Sequence, residues 1–209
     1  NAIDAKCTNF NLNDYNYNYK INKDLMNYFN KDNKKHIGHL GCLLSHVMLY
    51  QSFLNNSKSK YLMVFEDDVI FVDNFKEALI KRTEFIPNDW DLILIGSRSY
   101  YSLSNNFNKE IFNGVYELNH KFYGTHGLIL NKNSVKKILA LITPGFDCID
   151  LMLADITKQE HIKTYSLIHP LVYPTHNSTI ETNTFQYYYK TNITDSNLML
   201  STIHHKDFY

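Results

Sequence analysis

The chain has 209 residues, 44% of them hydrophobic, which is enough apolar material for one substantial core and excludes a disordered or collagen-like polymer. Basic and acidic residues balance at 21 each with no long run of one sign, which argues against nucleic acid as the partner. Apolar stretches such as Tyr61–Phe65 and Leu92–Ile95 fall far short of the roughly 20 residues of a membrane span, and no signal-peptide core is present, so the chain reads as soluble, cytoplasmic or lumenal.

Cys7, Cys42 and Cys148 form neither a CxxC pair nor an even framework, so disulfides are not expected to hold the fold and zinc-thiolate sites are disfavoured. Lysine outnumbers arginine 19 to 2, with 25 asparagines and 16 tyrosines, a usage that AT-rich coding sequences produce without functional pressure. The Asn-x-Ser/Thr acceptor sites at Asn55, Asn177 and Asn192 are about as many as that composition yields by chance, and they carry no evidence of secretion.

Residues 1–35 are polar and lack a sustained period, which predicts an irregular segment with one short helix near Asp24–Phe29. Ile37, Leu40, Leu44, Val47, Met48 and Leu54 recur at helical spacing and predict a helix of about 15 residues. Tyr61–Phe65 reads as a fully buried strand, followed by a helix over Asn74–Arg82, a turn at Pro87–Asp89, and a second buried strand over Asp91–Ile95 that ends at Gly96. The polar segment 97–113 reads as a loop long enough to cover a site.

Strand signals resume at Gly114–Leu118 and Gly127–Leu130. Asn133 or Ser134 can cap a helix over Val135–Ile142, Pro144-Gly145 breaks it, and another helix starts near Cys148 and runs to Lys158. Tyr165–Tyr173 is interrupted by His169-Pro170 and is expected to be an edge strand at best. The alternation of strands and helices predicts a layered α/β fold with a partly parallel sheet. The whole, 1–209, is expected to be a single domain with its core over 36–176 and a polar tail over 177–209.

Glu66-Asp67-Asp68, three adjacent acids at the end of a core-like strand, are the sharpest chemical feature. Open α/β sheets bind ligands beyond the carboxyl ends of their strands, and such acids suit Mg²⁺ or Mn²⁺ bridging to a diphosphate. A solvated turn that caps the next helix is the competing reading. Gly38, Gly41, Cys42 and Ser45 make one helix face of small residues, open to a nucleotide or to a packed strand. His46 follows Cys42 by one turn, but such a pair alone is seldom a metal site. His126 at the start of a strand and His176 in a late loop are either surface imidazoles or ligand contacts, and Asp150 with Asp147 stands before a helix as a cap or a general base.

In order, Gly38-x-x-Gly41-Cys42-x-x-Ser45-His46, Val64-Phe65-Glu66-Asp67-Asp68-Val69-x-Phe71, Asp89–Gly96, Gly124-Thr125-His126-Gly127 and Ile149-Asp150-x-x-Leu153 resemble the motifs of glycosyltransferase family 25. That family holds the bacterial lipopolysaccharide galactosyltransferases and procollagen-type hydroxylysine glycosyltransferases. The resemblance implies a GT-A-type nucleotide-sugar fold and inverting transfer of galactose or glucose from a UDP-sugar to a hydroxyl of a glycan or hydroxylysine. It implies Mn²⁺ (or Mg²⁺) with Glu66, Asp68 and His176 as metal residues, and Asp150 as catalytic base. Gly41, Ser45, His46, Glu66, Asp67, Arg98 and His126 become the donor-contact candidates. The family's opening strand-helix unit has no counterpart, so it is expected to be missing here. Arg82 and Arg98 are then the only arginines for phosphate contacts. A monomer or weak homodimer is expected. Competing readings are a non-catalytic module that binds glycan or protein and a metal-dependent phosphohydrolase.

Overall fold

The structure, a computed structural model, describes residue 20 and residues 34–97 and 109–174. The expected helix at Asp24–Phe29, Arg98, His176, the polar tail and most of the 97–113 loop lie outside the described residues.

The first described element, α1, runs over Lys34–Asn56, 23 residues rather than about 15. Its buried stripe is Leu40, Leu43, Leu44, Val47, Tyr50 and Phe53, spaced three and four apart so that one face is apolar over most of its length. Then come β1 (Tyr61–Phe65), the short β2 (Val69–Phe71), α2 (Phe75–Thr83) and β3 (Leu92–Gly96). The second half holds β4 (Lys109–Phe112), β5 (Val115–Leu118), β6 (Gly127–Asn131), α3 (Lys132–Leu141), α4 (Ile149–Lys158), β7 (Thr164–Leu167) and β8 (Val172–Pro174). Residues 109–112 are thus a strand where the sequence predicts loop.

Among the described residues six strands form a mixed sheet in the order β1-β6-β3-β7-β5-β4, while β2 and β8 pair as a separate ribbon. Only β3 and β7 are parallel neighbours among the described residues; the other pairs are antiparallel. Alternation along β3 explains how both faces are filled. Leu92 and Leu94 point to a cluster with α1, α3 and α4, and Ile93 and Ile95 to a second cluster with Val172, Tyr173 and the apolar face of α2. Burying each such side chain contributes about 1.5–3 kcal/mol.

Two strand assignments change. Among the described residues β1 is an edge strand with Tyr61 and Met63 exposed, not a fully buried one, because only β6 pairs with it there. β7 is the reverse: all four residues are buried between β3 and β5. The His169-Pro170 break does separate it from β8, but the break falls in the crossover and leaves the β7 ladder intact. The cap of α3 is Asn131, whose side chain accepts from the Ser134 amide at 2.9 Å, two or three positions before the expected caps. Asn74 is the N-terminal flanking residue of α2 rather than its first helical residue.

Candidate active site

The antiparallel pairing of β6 with both β1 and β3 makes those two strands point the same way. The turn after β1, the end of β3 and the segment entering β6 therefore meet at one edge of the sheet, where α/β sheets place their ligands. Backbones approach closely there. A Cβ on Gly96 would lie 2.8 Å from the Val172 carbonyl oxygen, and one on Gly127 would lie 3.0 Å from the Ile95 side chain.

Glu66 is the first residue after β1, and its backbone amide donates to the His126 carbonyl at 3.3 Å, extending the ladder by one rung. Its carboxylate is held at both oxygens. The Thr125 hydroxyl donates to Oε1 at 2.6 Å and His126 Nδ1 lies 2.9 Å from Oε2. Burial pushes this carboxyl up, but the His126 hydrogen bond and charge and the Thr125 hydroxyl outweigh it and bring it down to about 2. Glu66 is ionised at neutral pH and can only accept, so Nδ1 of His126 carries the proton. The other nitrogen, Nε2, is buried without a hydrogen-bond partner among the described residues.

The same segment grips a second acid. The Gly124 amide donates to Asp150 Oδ2 at 3.1 Å, and Asp150 Oδ1 accepts from the Leu151 amide at 2.9 Å in the first turn of α4. Gly124 sits at φ 75°, and a Cβ there would lie 2.8 Å from His126 Nε2, so the turn needs glycine for both its backbone and the ring beneath it. Three consecutive residues, Gly124, Thr125 and His126, therefore position Asp150 and Glu66 together.

α1 closes the inner side. Cys42 Sγ, a His46 ring nitrogen and a Glu66 oxygen lie within 4.8 Å of one another. His46 is buried, its Nδ1 is 3.3 Å from the Tyr50 hydroxyl, and burial lowers its pKa, so the ring is neutral. Burial, followed by the Glu66 and Asp150 charges, pushes the Cys42 thiol up, and burial with Asp150 and Asp147 raises Cys148 to about 12. Neither thiol is poised as a nucleophile.

Of the expected site residues, Glu66, His126, Asp150 and His46 are brought together, with Asp68 beside them in the turn after β1. Asp67 is exposed. Ser45 donates to the Gly41 carbonyl at 2.8 Å, a bond internal to α1. Arg98 and His176 lie outside the described residues. Arg82, read from the sequence as a phosphate contact, donates instead to the His169 carbonyl at 2.6 Å and ties α2 to the β7–β8 crossover.

The sequence offers Gly124 and Thr125 only as part of the motif around His126, with no role of their own, and does not point to Tyr50, although it stands one turn after His46. Burial and the neighbouring Glu66 charge raise the Asp68 carboxyl, and among the described residues no salt bridge neutralises Asp67 or Asp68. This uncompensated pair of oxygen donors fits a hard divalent cation.

The chain matches the model of Glycosyltransferase family 25 (LPS biosynthesis protein) over residues 1–157. Procollagen galactosyltransferase 2 of Mus musculus is 39% identical over 64 residues, 29% of this chain and 10% of that protein. Inactive glycosyltransferase 25 family member 3 of Mus musculus is 36% identical over 64 residues, 29% of this chain and 11% of that protein. A relative from Haemophilus influenzae, named as a glycosyltransferase, is 24% identical over 133 residues, 63% of this chain and 45% of its own length. The chain thus spans less than half the length of these relatives. With a family match over three quarters of its length and a mixed α/β sheet whose strand ends converge on paired acids, the chain belongs to glycosyltransferase family 25.

Proposed function

We propose that this chain is an inverting, metal-dependent glycosyltransferase of the GT-A type that moves a hexose, galactose or glucose, from a UDP-sugar to a hydroxyl of a glycan or hydroxylysine. The observation that carries this reading is the single segment Gly124–His126 holding two carboxylates from distant elements, Glu66 and Asp150. Inverting transfer needs one carboxylate placed to take a proton and acidic residues placed near the leaving diphosphate. The procollagen galactosyltransferase name of a mouse relative favours galactose among the hexoses.

In this mechanism Asp150 accepts the proton of the acceptor hydroxyl as its oxygen attacks the anomeric carbon, and the bond from that carbon to UDP breaks. The Gly124 and Leu151 amides fix the Asp150 carboxylate in one orientation, and each oxygen keeps a lone pair for the incoming proton. Asp68, with Asp67 beside it, would hold Mn²⁺ or Mg²⁺, which neutralises charge on the departing diphosphate when bound. Glu66 is anchored by Thr125 and His126 and positions the turn that carries Asp67 and Asp68. Water is kept from His126 by its own burial.

A second reading, a non-catalytic module that binds glycan or protein through the same cleft, draws support from the relatives named inactive family members. One screen separates the two. UDP release from UDP-galactose and UDP-glucose with Mn²⁺, with and without saccharide or hydroxylysine acceptors, should show turnover for the transferase. A chain that releases no UDP and whose melting temperature does not move with UDP and Mn²⁺ is the binding module.

A further inference from the structure

We infer that Cys42, His46 and Glu66 form a second cation site, for a borderline-soft divalent ion of the zinc class, distinct from the oxygen-donor site of Asp67 and Asp68. Their sulfur, nitrogen and oxygen atoms lie within 4.8 Å of one another. Ligand bonds of about 2.0–2.3 Å around a tetrahedral ion bring donors to about 3.5 Å apart, so a side-chain rotation of about 1 Å closes this triangle. A thiolate and a carboxylate together cancel the charge of a divalent ion, which matters because Cys42 and Glu66 are half-buried beside the buried His46.

The supporting contacts are already in place. Zinc-binding histidines commonly have their second ring nitrogen oriented by another group, and Tyr50, itself fully buried, stands at His46 Nδ1. Coordination through Nε2 leaves Nδ1 as an N–H donor to the Tyr50 oxygen. The carboxylate likewise has its outer partners, Thr125 and His126, and each of its oxygens retains a lone pair for a metal. Binding displaces the thiol proton of Cys42 to solvent, so one proton is released per ion. Three protein ligands leave a fourth position open, the pattern of zinc sites that hold water or a substrate atom rather than closed structural sites. The ligands join α1 to the turn after β1, so occupancy also pins the helix to the sheet edge.

This inference stands apart from the transferase reading, and its test does not use turnover. The full chain, stripped by chelator, is titrated with Zn²⁺ by calorimetry and with Co²⁺ by absorption. The expected result is one ion per chain, proton release, and a thiolate-to-Co²⁺ charge-transfer band. Cys42→Ser should abolish that band and weaken Zn²⁺ at least tenfold, while Cys7→Ser, Cys148→Ser and Asp68→Asn keep both. X-ray absorption of the zinc-loaded wild-type chain reads the site without any substitution and should show one sulfur with nitrogen and oxygen neighbours. Absence of the band, its survival in Cys42→Ser, its loss in Cys148→Ser or Cys7→Ser, or a ligand shell with no sulfur or with several overturns the assignment.

Discussion

His126 Nδ1 is 2.9 Å from Glu66 Oε2, a pairing across 60 residues of sequence that fixes the turn after β1 against the entrance of β6. The folded-state Glu66 carboxyl, at about 2 against 4.5 ordinarily, contributes stability that is complete above about pH 4.5 and is lost as pH falls toward about 2. Glu66→Gln keeps the shape and removes the charge. It should cost on the order of 2 kcal/mol at pH 7, and the difference from wild type should shrink as pH falls through that window. Urea unfolding of both proteins at pH 7, 4 and 3 measures this; a difference independent of pH contradicts it.

Gly124→Ala should cost about 1–3 kcal/mol, because φ 75° disfavours any side chain and the new methyl meets His126 Nε2 at 2.8 Å. Part of that cost is specific to the ring. In a His126→Ala background the penalty should fall, and a double-mutant cycle from urea unfolding reads the coupling. Additive penalties would mean that the imidazole does not press on Gly124.

Arg82→Met should destabilise the fold by about 1–3 kcal/mol by leaving the His169 carbonyl without its charged donor. UDP affinity should be unchanged. A loss of UDP binding with stability preserved would return Arg82 to the phosphate role.

The local half of this architecture is legible in the sequence and the non-local half is not. Helical spacing places α1, and the turn residues around Pro144 separate α3 from α4. An apolar run such as Tyr61–Phe65 looks the same at a sheet edge as at its centre, because strand order is set by partners distant in the chain. That is why β1 and β7 exchange their expected places. β2 has three residues, too few for a period, and β4 carries the charges Lys109 and Glu110 that suit an edge.

At the site, the acids and His126 are visible as residue types, and Cys42 and His46 as an i, i+4 pair. Nothing local shows that Glu66 would join both, or that Thr125 would donate to it, since those contacts exist only once β1 and β6 pair.

Asp150→Asn should lower kcat by at least a hundredfold while leaving UDP affinity within about twofold, since the amide cannot take the acceptor's proton. Single-turnover UDP release against calorimetric UDP binding separates the two effects. Equal losses in both would make Asp150 a residue that shapes the cleft rather than the base.

The central claim, that the turn after β1 holds a nucleoside diphosphate through a divalent cation, is tested most directly by calorimetric titration of UDP in the presence of Mn²⁺ on the wild-type chain and on Asp68→Asn. Burial and the Glu66 charge already disfavour the Asp68 carboxylate, so removing its charge should leave thermal stability equal or slightly higher. The account predicts Mn²⁺-dependent UDP binding that weakens at least tenfold, about 1.4 kcal/mol, in the variant. UDP binding that is absent from the wild-type chain, independent of Mn²⁺, or the same in Asp68→Asn would contradict it.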